Sequence, residues 1–197
     1  MKRPWLLIAL FLALACVFTN ARAQDLTRAP NENDLSFAKR ALHLPDDADP
    51  HTTATTWNGR PTLFVDYQTS GDDPERPLVA FQQQPTGEYR EIQVTVGEQE
   101  GGTPDISALG FANANHDPAK QLIVILAWPQ RHAEVEGTLY EVRIFDDPKP
   151  GQHALTLLNI SQKFGSGCDC QWSDGKSKHY RFKTIAAVKN ELKRLGY

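Results

Sequence analysis

The residues best suited to chemistry are two cysteines and a histidine near the C-terminus. Cys168 and Cys170 are separated by one residue, so in an extended strand both sulfur atoms project from the same face. The pair Asp174-Gly175 predicts a tight hairpin turn that sets His179 opposite Cys170. Two thiolates and an imidazole are ligands that zinc or copper(I) accepts. A local disulfide and a free or intermolecular pair are the alternatives to this metal site.

A second group of oxygen-bearing side chains lies in residues 113–121, between two apolar runs. Four of them occupy positions 1, 3, 5 and 9 of the segment, and a histidine lies among them. The five residues are Asn113, Asn115, His116, Asp117 and Gln121. Their spacing resembles the calcium loop of FG-GAP and related β-propeller blades, which has acids at these positions and a glycine at the turn. Calcium binding gains affinity from negative charge, and Asp117 is the only acid here. The alternative is an ordinary polar loop held by local hydrogen bonds.

A third group alternates along the chain just before a glycine. His132, Glu134 and Glu136 are each separated by one residue, so on a strand they are expected to meet on one face. Such a face predicts a binding surface or a metal site. A charged hairpin tip is the alternative interpretation.

No catalytic signature accompanies these groups. The sequence holds no HExxH pair, no GxSxG elbow and no glycine-rich phosphate loop. It therefore favours a non-catalytic binding protein that acts through the loops at residues 72–76, 113–120 and 131–136. A metal-handling protein and a hydrolase with an unrecognised carboxylate site are the alternatives. No cofactor motif is present, and calcium or a soft metal ion is the only cofactor that the candidate sites suggest.

The N-terminus has the features of a secretory signal peptide over residues 1–23. Two basic residues precede an apolar run, and the small-x-small pattern at residues 21–23 predicts cleavage after Ala23. The apolar run is short for a membrane span, although an uncleaved anchor and a lipoprotein acylated at Cys16 are alternatives. The expected location is the periplasm or the extracellular space.

The charge of the exported chain narrows the range of partners. Cleavage removes three of the 21 lysines and arginines and leaves 18 against 24 acids, a formal charge of −6. An acidic surface disfavours nucleic-acid backbones, which need basic patches. No later segment is long and apolar enough to span a bilayer. A protein or a cell-envelope component is therefore the expected partner.

The remaining pattern predicts a mainly β fold of the α+β class. Residues 24–60 are expected to form a leader, a short helix over residues 34–44 and an exposed linker from residue 45 to residue 56. Residues 61–197 are expected to form one β-rich domain. Its strands are predicted at residues 62–67, 78–82, 89–96, 106–112, 122–128 and 138–145.

The order of these strands suggests an antiparallel meander sheet, with two blade-like three-strand repeats as one interpretation. The apolar, β-branched run at residues 122–128 predicts a strand buried on both faces. The pattern then predicts a further strand at residues 154–160 and a hairpin that pairs residues 168–172 with 179–183. Asn31 or Asn33 is expected to cap the first helix, and Thr184 a C-terminal helix over residues 185–195.

Overall fold

The structure, a computed structural model, describes residues 26–197. The predicted signal peptide and its cleavage site lie outside the described residues. The helices are α1 (Asp34–Ala41) and α2 (Ile185–Arg194), and a 3-10 helix spans Asn159–Lys163. The strands are β1 (His51–Trp57), β2 (Arg60–Asp66), β3 (Arg76–Gln83), β4 (Tyr89–Gly97), β5 (Asp105–Ala112), β6 (Gln121–His132), β7 (Val135–Phe145), β8 (Ser166–Trp172) and β9 (Ser177–Lys178).

The strands form two antiparallel sheets rather than one. The four-stranded sheet has the order β1-β2-β3-β4, and the five-stranded sheet has the order β5-β6-β7-β8-β9. The predicted mainly β fold with one helix near each end is confirmed. Each predicted three-strand set lies in its own sheet, and its descent from a duplication stays a prediction.

The two sheets pack face to face around one apolar core. This core draws buried side chains from both sheets, including Trp57, Phe64 and Ile92 from the first and Leu122 and Val124 from the second. A second cluster joins the outer face of the five-stranded sheet to α2, and a third joins the outer face of the four-stranded sheet to α1. The molecule is therefore a sandwich with one helix on each side.

This layering explains the long apolar run of β6. Its even-numbered residues, such as Leu122 and Val124, face the inter-sheet core, whereas Ile123 and Ile125 face the cluster with α2. All four side chains are fully buried. The prediction of a strand buried on both faces is confirmed.

Both helices begin at the expected caps. The side chain of Asn33 accepts a hydrogen bond from the Ser36 amide, and that of Thr184 accepts one from the Ala187 amide. Each helix is amphipathic and buries one face on its sheet. Neither α1 nor α2, the two α-helices among residues 26–197, is long and apolar enough to cross a membrane.

The linker predicted at residues 45–56 is wrong in its second half. Residues His51–Trp57 form β1, which pairs along its whole length with β2. The run is rich in threonine, a β-branched residue whose stiff side chain suits a pleated strand. The aspartates and prolines of residues 45–50 had instead favoured an exposed linker.

Two other predicted boundaries also need correction. Residues 154–160 make isolated bridges at Ala154 and Leu157 and then enter the 3-10 helix, so the continuous strand predicted there is wrong. Strand β6 continues through Pro129, which had been expected to end it. Because β5 pairs no further along β6 than Ala127, Pro129 has a partner on one side only and its missing N–H is tolerated.

Candidate functional site

The tips of two hairpins, β6–β7 and β8–β9, form a cleft at one end of the five-stranded sheet. Its volume is about 520 Å³. Val135 pairs with Trp172 across β7 and β8, and the Ser173 amide donates a 3.0 Å hydrogen bond to the Glu134 carbonyl. These contacts hold the two tips side by side. Polar and aromatic residues dominate the lining: His132, Glu134, Glu136, Gln171, Trp172 and Ser173.

The cleft gathers the three residues that the sequence predicted to share a strand face, but in a different way. His132 pairs with Val135, and Arg131 pairs with Glu136. Cross-strand partners share a face and successive residues alternate, so His132 and Glu136 lie on opposite faces. The single-face prediction is wrong because a two-residue turn at residues 133–134 folds the segment back on itself. All three line one cleft because it lies at the end of the sheet.

The acidic side chains of the cleft are exposed and have no bonding partner among the described residues. Among residues 26–197, the side chains of His132, Glu134 and Glu136 make no hydrogen bond or ion pair. Trp172 beside them is half-buried. Carboxylates and an aromatic ring attract a positively charged group through ion pairing and cation–π contact. The cleft is therefore chemically suited to a cationic or hydrogen-bonding partner.

The predicted binding loop between β5 and β6 is, by contrast, held by its own hydrogen bonds. Asp117 accepts bonds from the Ala119 amide and from Gln121 Nε2, both at 3.0 Å, and from Asn115 Nδ2 at 2.8 Å. Partial burial opposes ionisation, but the bonds from Gln121 and Asn115 outweigh it and hold the pKa of Asp117 below its usual range. This carboxylate stabilises the loop conformation.

Two further acids join Asp117 from the end of β7. Oxygen atoms of Asp117, Asp146 and Asp147 lie within 4.8 Å of one another, and these residues could hold a cation. Lys149 Nζ lies 2.8 Å from Asp147 Oδ1 and 3.6 Å from Asp146 Oδ2. The hydrogen bond with Asp147 raises the pKa of Lys149. In this arrangement the ammonium group supplies the positive charge that a calcium ion would.

The other two loop residues stand apart from that cluster. Asn113 is exposed, and its side chain has no bond to the cluster among the described residues. The His116 ring stacks on the ring of Tyr197 with centroids 4.4 Å apart. The calcium-like spacing therefore brings together Asn115, Asp117 and Gln121 but not Asn113, the position that would begin a calcium loop.

The structure separates His179 from the two cysteines. Cys170 pairs with Lys178, one residue short of the predicted register, so the prediction of His179 opposite Cys170 is wrong. His179 Nδ1 lies 2.8 Å from Asp169 Oδ1, on the other face of β8. Asp169 also forms an ion pair with Lys183. That bond and then the one to His179 hold the pKa of Asp169 below its usual range.

The two cysteines themselves are in close contact. Their Cα atoms are 5.3 Å apart, within the range that a disulfide spans. Gly137 lies opposite Cys170, and a Cβ atom at this glycine would lie 2.6 Å from the Cys170 Cα. The missing side chain of Gly137 therefore allows β7 to approach the cysteine-containing segment.

Sequence reasoning missed several members of these clusters. Trp172 and Gln171 reach the cleft through the pairing of β7 with β8, and Asp146 reaches Asp117 across 29 residues of chain. The only local sign was a tryptophan placed directly before the Ser173-Asp174 turn.

Comparison of the chain with protein-family models, with curated proteins and with solved structures found no match.

Proposed function

We propose that this chain is an exported, non-catalytic binding protein that recognises a protein or a cell-envelope component. The recognition surface is the cleft between the β6–β7 and β8–β9 hairpin tips. Of the three loops that the sequence suggested for binding, this proposal selects residues 131–136. The leader features of residues 1–23 support the export part of the proposal.

The observation that carries the proposal is the state of the cleft side chains. Glu134 and Glu136 are exposed and unpaired within the described chain, whereas Asp117 in the competing loop accepts three hydrogen bonds. Charges without internal partners lose no existing bond when a partner binds. Glu136 pairs with Arg131 in the sheet and the Glu134 carbonyl accepts a hydrogen bond from the Ser173 amide, so the backbone of both is held in place, which reduces the entropy cost of recognition.

The same observation counts against the hydrolase alternative. The cleft holds one histidine and two carboxylates, so it offers the residue types that acid–base catalysis uses. In a nucleophile–base arrangement the two side chains lie within hydrogen-bond reach and a third group orients the base. Within residues 26–197, His132, Glu134 and Glu136 have no such hydrogen-bonded partner. Binding is therefore the function that the cleft supports best.

We also propose that the Cys168–Cys170 contact is a disulfide bond. The Cα separation of 5.3 Å suits a disulfide. An exported protein also meets an oxidising compartment in which disulfides persist. The alternative, a metal site with His179, is not supported, because His179 binds Asp169 instead.

Affinity capture from the native envelope fraction tests the function. The bait is the purified protein, and the test variant carries Glu134→Gln, Glu136→Gln and Trp172→Ala. The matched control carries Asp72→Asn and Asp73→Asn, which removes the same charge from the exposed turn between β2 and β3. We expect the cleft variant to lose its partner and the control to keep it.

The control should melt at the wild-type temperature, because Asp72 and Asp73 make no hydrogen bond or ion pair among the described residues. The cleft variant should melt below it, because Trp172 is half-buried, so capture is compared at a temperature at which both variants are folded. If the cleft variant keeps every partner of the wild type, the placement of function in the cleft is wrong. Loss of the partner in the control alone would move the site to the β2–β3 turn.

A further inference from the structure

Strand β5 is an open edge of the five-stranded sheet. It pairs with β6 on one side, and none of its residues takes part in another bridge among the described residues. In an antiparallel edge strand, alternate residues point their N–H and C=O groups away from the sheet. Natural edge strands are usually protected by charges, prolines or bulges. Strand β5 has Asp105 and a bulge between Ile106 and Ala108 at its start, but residues 108–112 contain no charge, no proline and no register shift. The backbone of residues 108–112 is therefore available to an added strand.

A groove runs beside this edge. It consists of two adjoining spaces of about 500 and 250 Å³, which share Phe111, Lys120 and Lys189. Trp57 of β1 forms part of the opposite wall, and its ring stacks on Phe111 with centroids 5.7 Å apart. We call this feature the lysine groove. It is lined chiefly by Trp57, Leu109, Phe111, Lys120, Lys189 and Lys193.

Helix α2 is fixed close enough to β5 to bring its lysines to the groove. Gly110 makes this possible, because a Cβ at that position would lie 2.5 Å from Ile185 Cγ2. Lys189 follows Ile185 by one helical turn, and Lys193 follows Lys189 by another. Residues three and four apart lie on the same side of a helix, so both lysines border the groove.

The lysine side chains of the groove have no acidic partner among the described residues. Among residues 26–197, Lys120, Lys189 and Lys193 form no ion pair, whereas the nearby Glu191 is paired with Arg181 and Arg194. The whole chain carries a formal charge of −3. A concentration of three free ammonium groups on an acidic protein indicates complementarity to a negatively charged partner.

We propose that the lysine groove binds an acidic peptide segment in extended conformation, which adds to β5 as a new strand. The backbone of the peptide pairs with the free edge of β5. Its alternate side chains then face either the apolar surface of Leu109 and Phe111 or the ammonium groups. This site lies apart from the hairpin cleft and does not depend on the function proposed for the cleft.

The probe is a fluorescent peptide of about eight residues, the length of β5, that alternates glutamate and valine. Two comparison peptides separate the contributions. One alternates lysine and valine and reverses the charge. The other alternates glutamate and proline, which keeps the charge but removes the N–H donors that a strand needs. Fluorescence anisotropy gives the affinities, and hydrogen exchange of the complex reports which amides become protected.

The test variant carries Lys189→Gln and Lys193→Gln, and the control carries Lys163→Gln and Lys178→Gln. Both remove two lysines that are unpaired within the described chain, so their net charge is equal. Exposed ion pairs contribute modestly, and loss of two should weaken binding of the glutamate–valine peptide about fivefold. The control should bind like the wild type.

We expect the glutamate–valine peptide alone to bind and to protect amides within residues 105–112. The proposal is overturned if no peptide binds, if the glutamate–proline peptide binds equally well, or if the two lysine variants do not differ. It is also overturned if β5 is protected without peptide in a concentration-dependent dimer, since a second copy would then occupy the edge.

Discussion

The two clusters that the sequence predicted on hairpin loops differ in whether their side chains are already satisfied. Asp117 accepts hydrogen bonds from Asn115, Ala119 and Gln121, and these bonds fix the loop before β6. Glu134 and Glu136 accept none from any described residue. Because a buried or bonded polar group must give up existing bonds to bind a partner, the first cluster is structural and the second is available.

The cysteine pair provides a test at the level of single residues. We expect alkylation of Cys168 and Cys170 only after reduction, measured by mass spectrometry of the peptide that contains both. The bridge spans a sequence separation of two, so it closes a very short loop. Reduction should therefore lower the free energy of unfolding by only about 1.5 kcal/mol.

The variant with Cys168→Ser and Cys170→Ser is the control for this measurement. It should resist alkylation under all conditions and show the same small loss of stability in urea. Alkylation of the untreated wild type, together with a metal ion in native mass spectrometry, would instead support the metal-handling alternative.

Two strands of the fold lie at exposed edges of the sheets, although the faces of both sheets are buried. Strand β1 is built from threonines and lies at one edge of its sheet, and β5 lies at an edge of the other. Helices α1 and α2 cover the outer faces of the sheets and lie against β1 and β5, but neither helix pairs with these strands through its backbone. The two edge strands therefore have backbone N–H and C=O groups available for pairing, and the side-chain pattern alone does not predict them.

Helix α1 is expected to be an integral part of the sandwich. Phe37 is fully buried, and its ring centroid lies 5.2 Å from that of Phe81 and 5.1 Å from that of Tyr89. Phe37→Ala should lower the free energy of unfolding by about 3–4 kcal/mol, because it leaves a cavity under the helix. Urea denaturation followed by circular dichroism measures this loss.

Leu35 in the same helix is the matched control, since it is 42 % exposed. Leu35→Ala should change stability by less than about 0.5 kcal/mol. Equal effects of the two substitutions would mean that α1 does not pack on the sheet as described.

At the scale of the whole molecule, a few polar contacts fix how the two sheets face each other. Trp57 Nε1 donates a 2.7 Å hydrogen bond to the Lys120 carbonyl, and Arg143 Nη1 donates one of 2.6 Å to Thr95 Oγ1. Arg76 joins Asp66 of β2 to the Pro104 carbonyl at the start of β5. The apolar core holds the sheets together, and these directional bonds define their relative orientation.

Removal of Arg76 tests that role. Asp66 is buried, and Arg76 Nη1 lies 2.9 Å from its Oδ1. Arg76→Leu should lower the free energy of unfolding by about 2 kcal/mol, because within residues 26–197 it leaves this buried carboxylate with the exposed His51 as its one remaining partner. Addition of Asp66→Asn should restore part of the loss. Urea denaturation of the single and double variants measures both effects.

The exposed pair between Lys176 and Asp174 supplies the control for Arg76. Lys176→Leu should leave stability unchanged, because solvent screens such a pair. If the double variant is less stable than Arg76→Leu alone, the cost does not arise from an unpaired Asp66.

The sequence by itself determined the local features of this protein. Alternation and β-branched runs predicted β2 to β7, and the run at residues 122–128 predicted burial on both faces. Asn33, Thr184 and the turn at Asp174-Gly175 marked helix starts and a hairpin. These features depend on neighbouring residues, whose spacing and conformational preferences are written directly in the chain.

Only the tertiary structure decided which residues meet. The separation into two sheets, the cleft that joins Glu134 to Trp172, and the approach of Lys189 to Lys120 all depend on contacts between distant segments. One residue of hairpin register decided that His179 binds Asp169 rather than the cysteines. Such pairings follow from the packing of whole elements, and a shift of one position changes the face of every side chain.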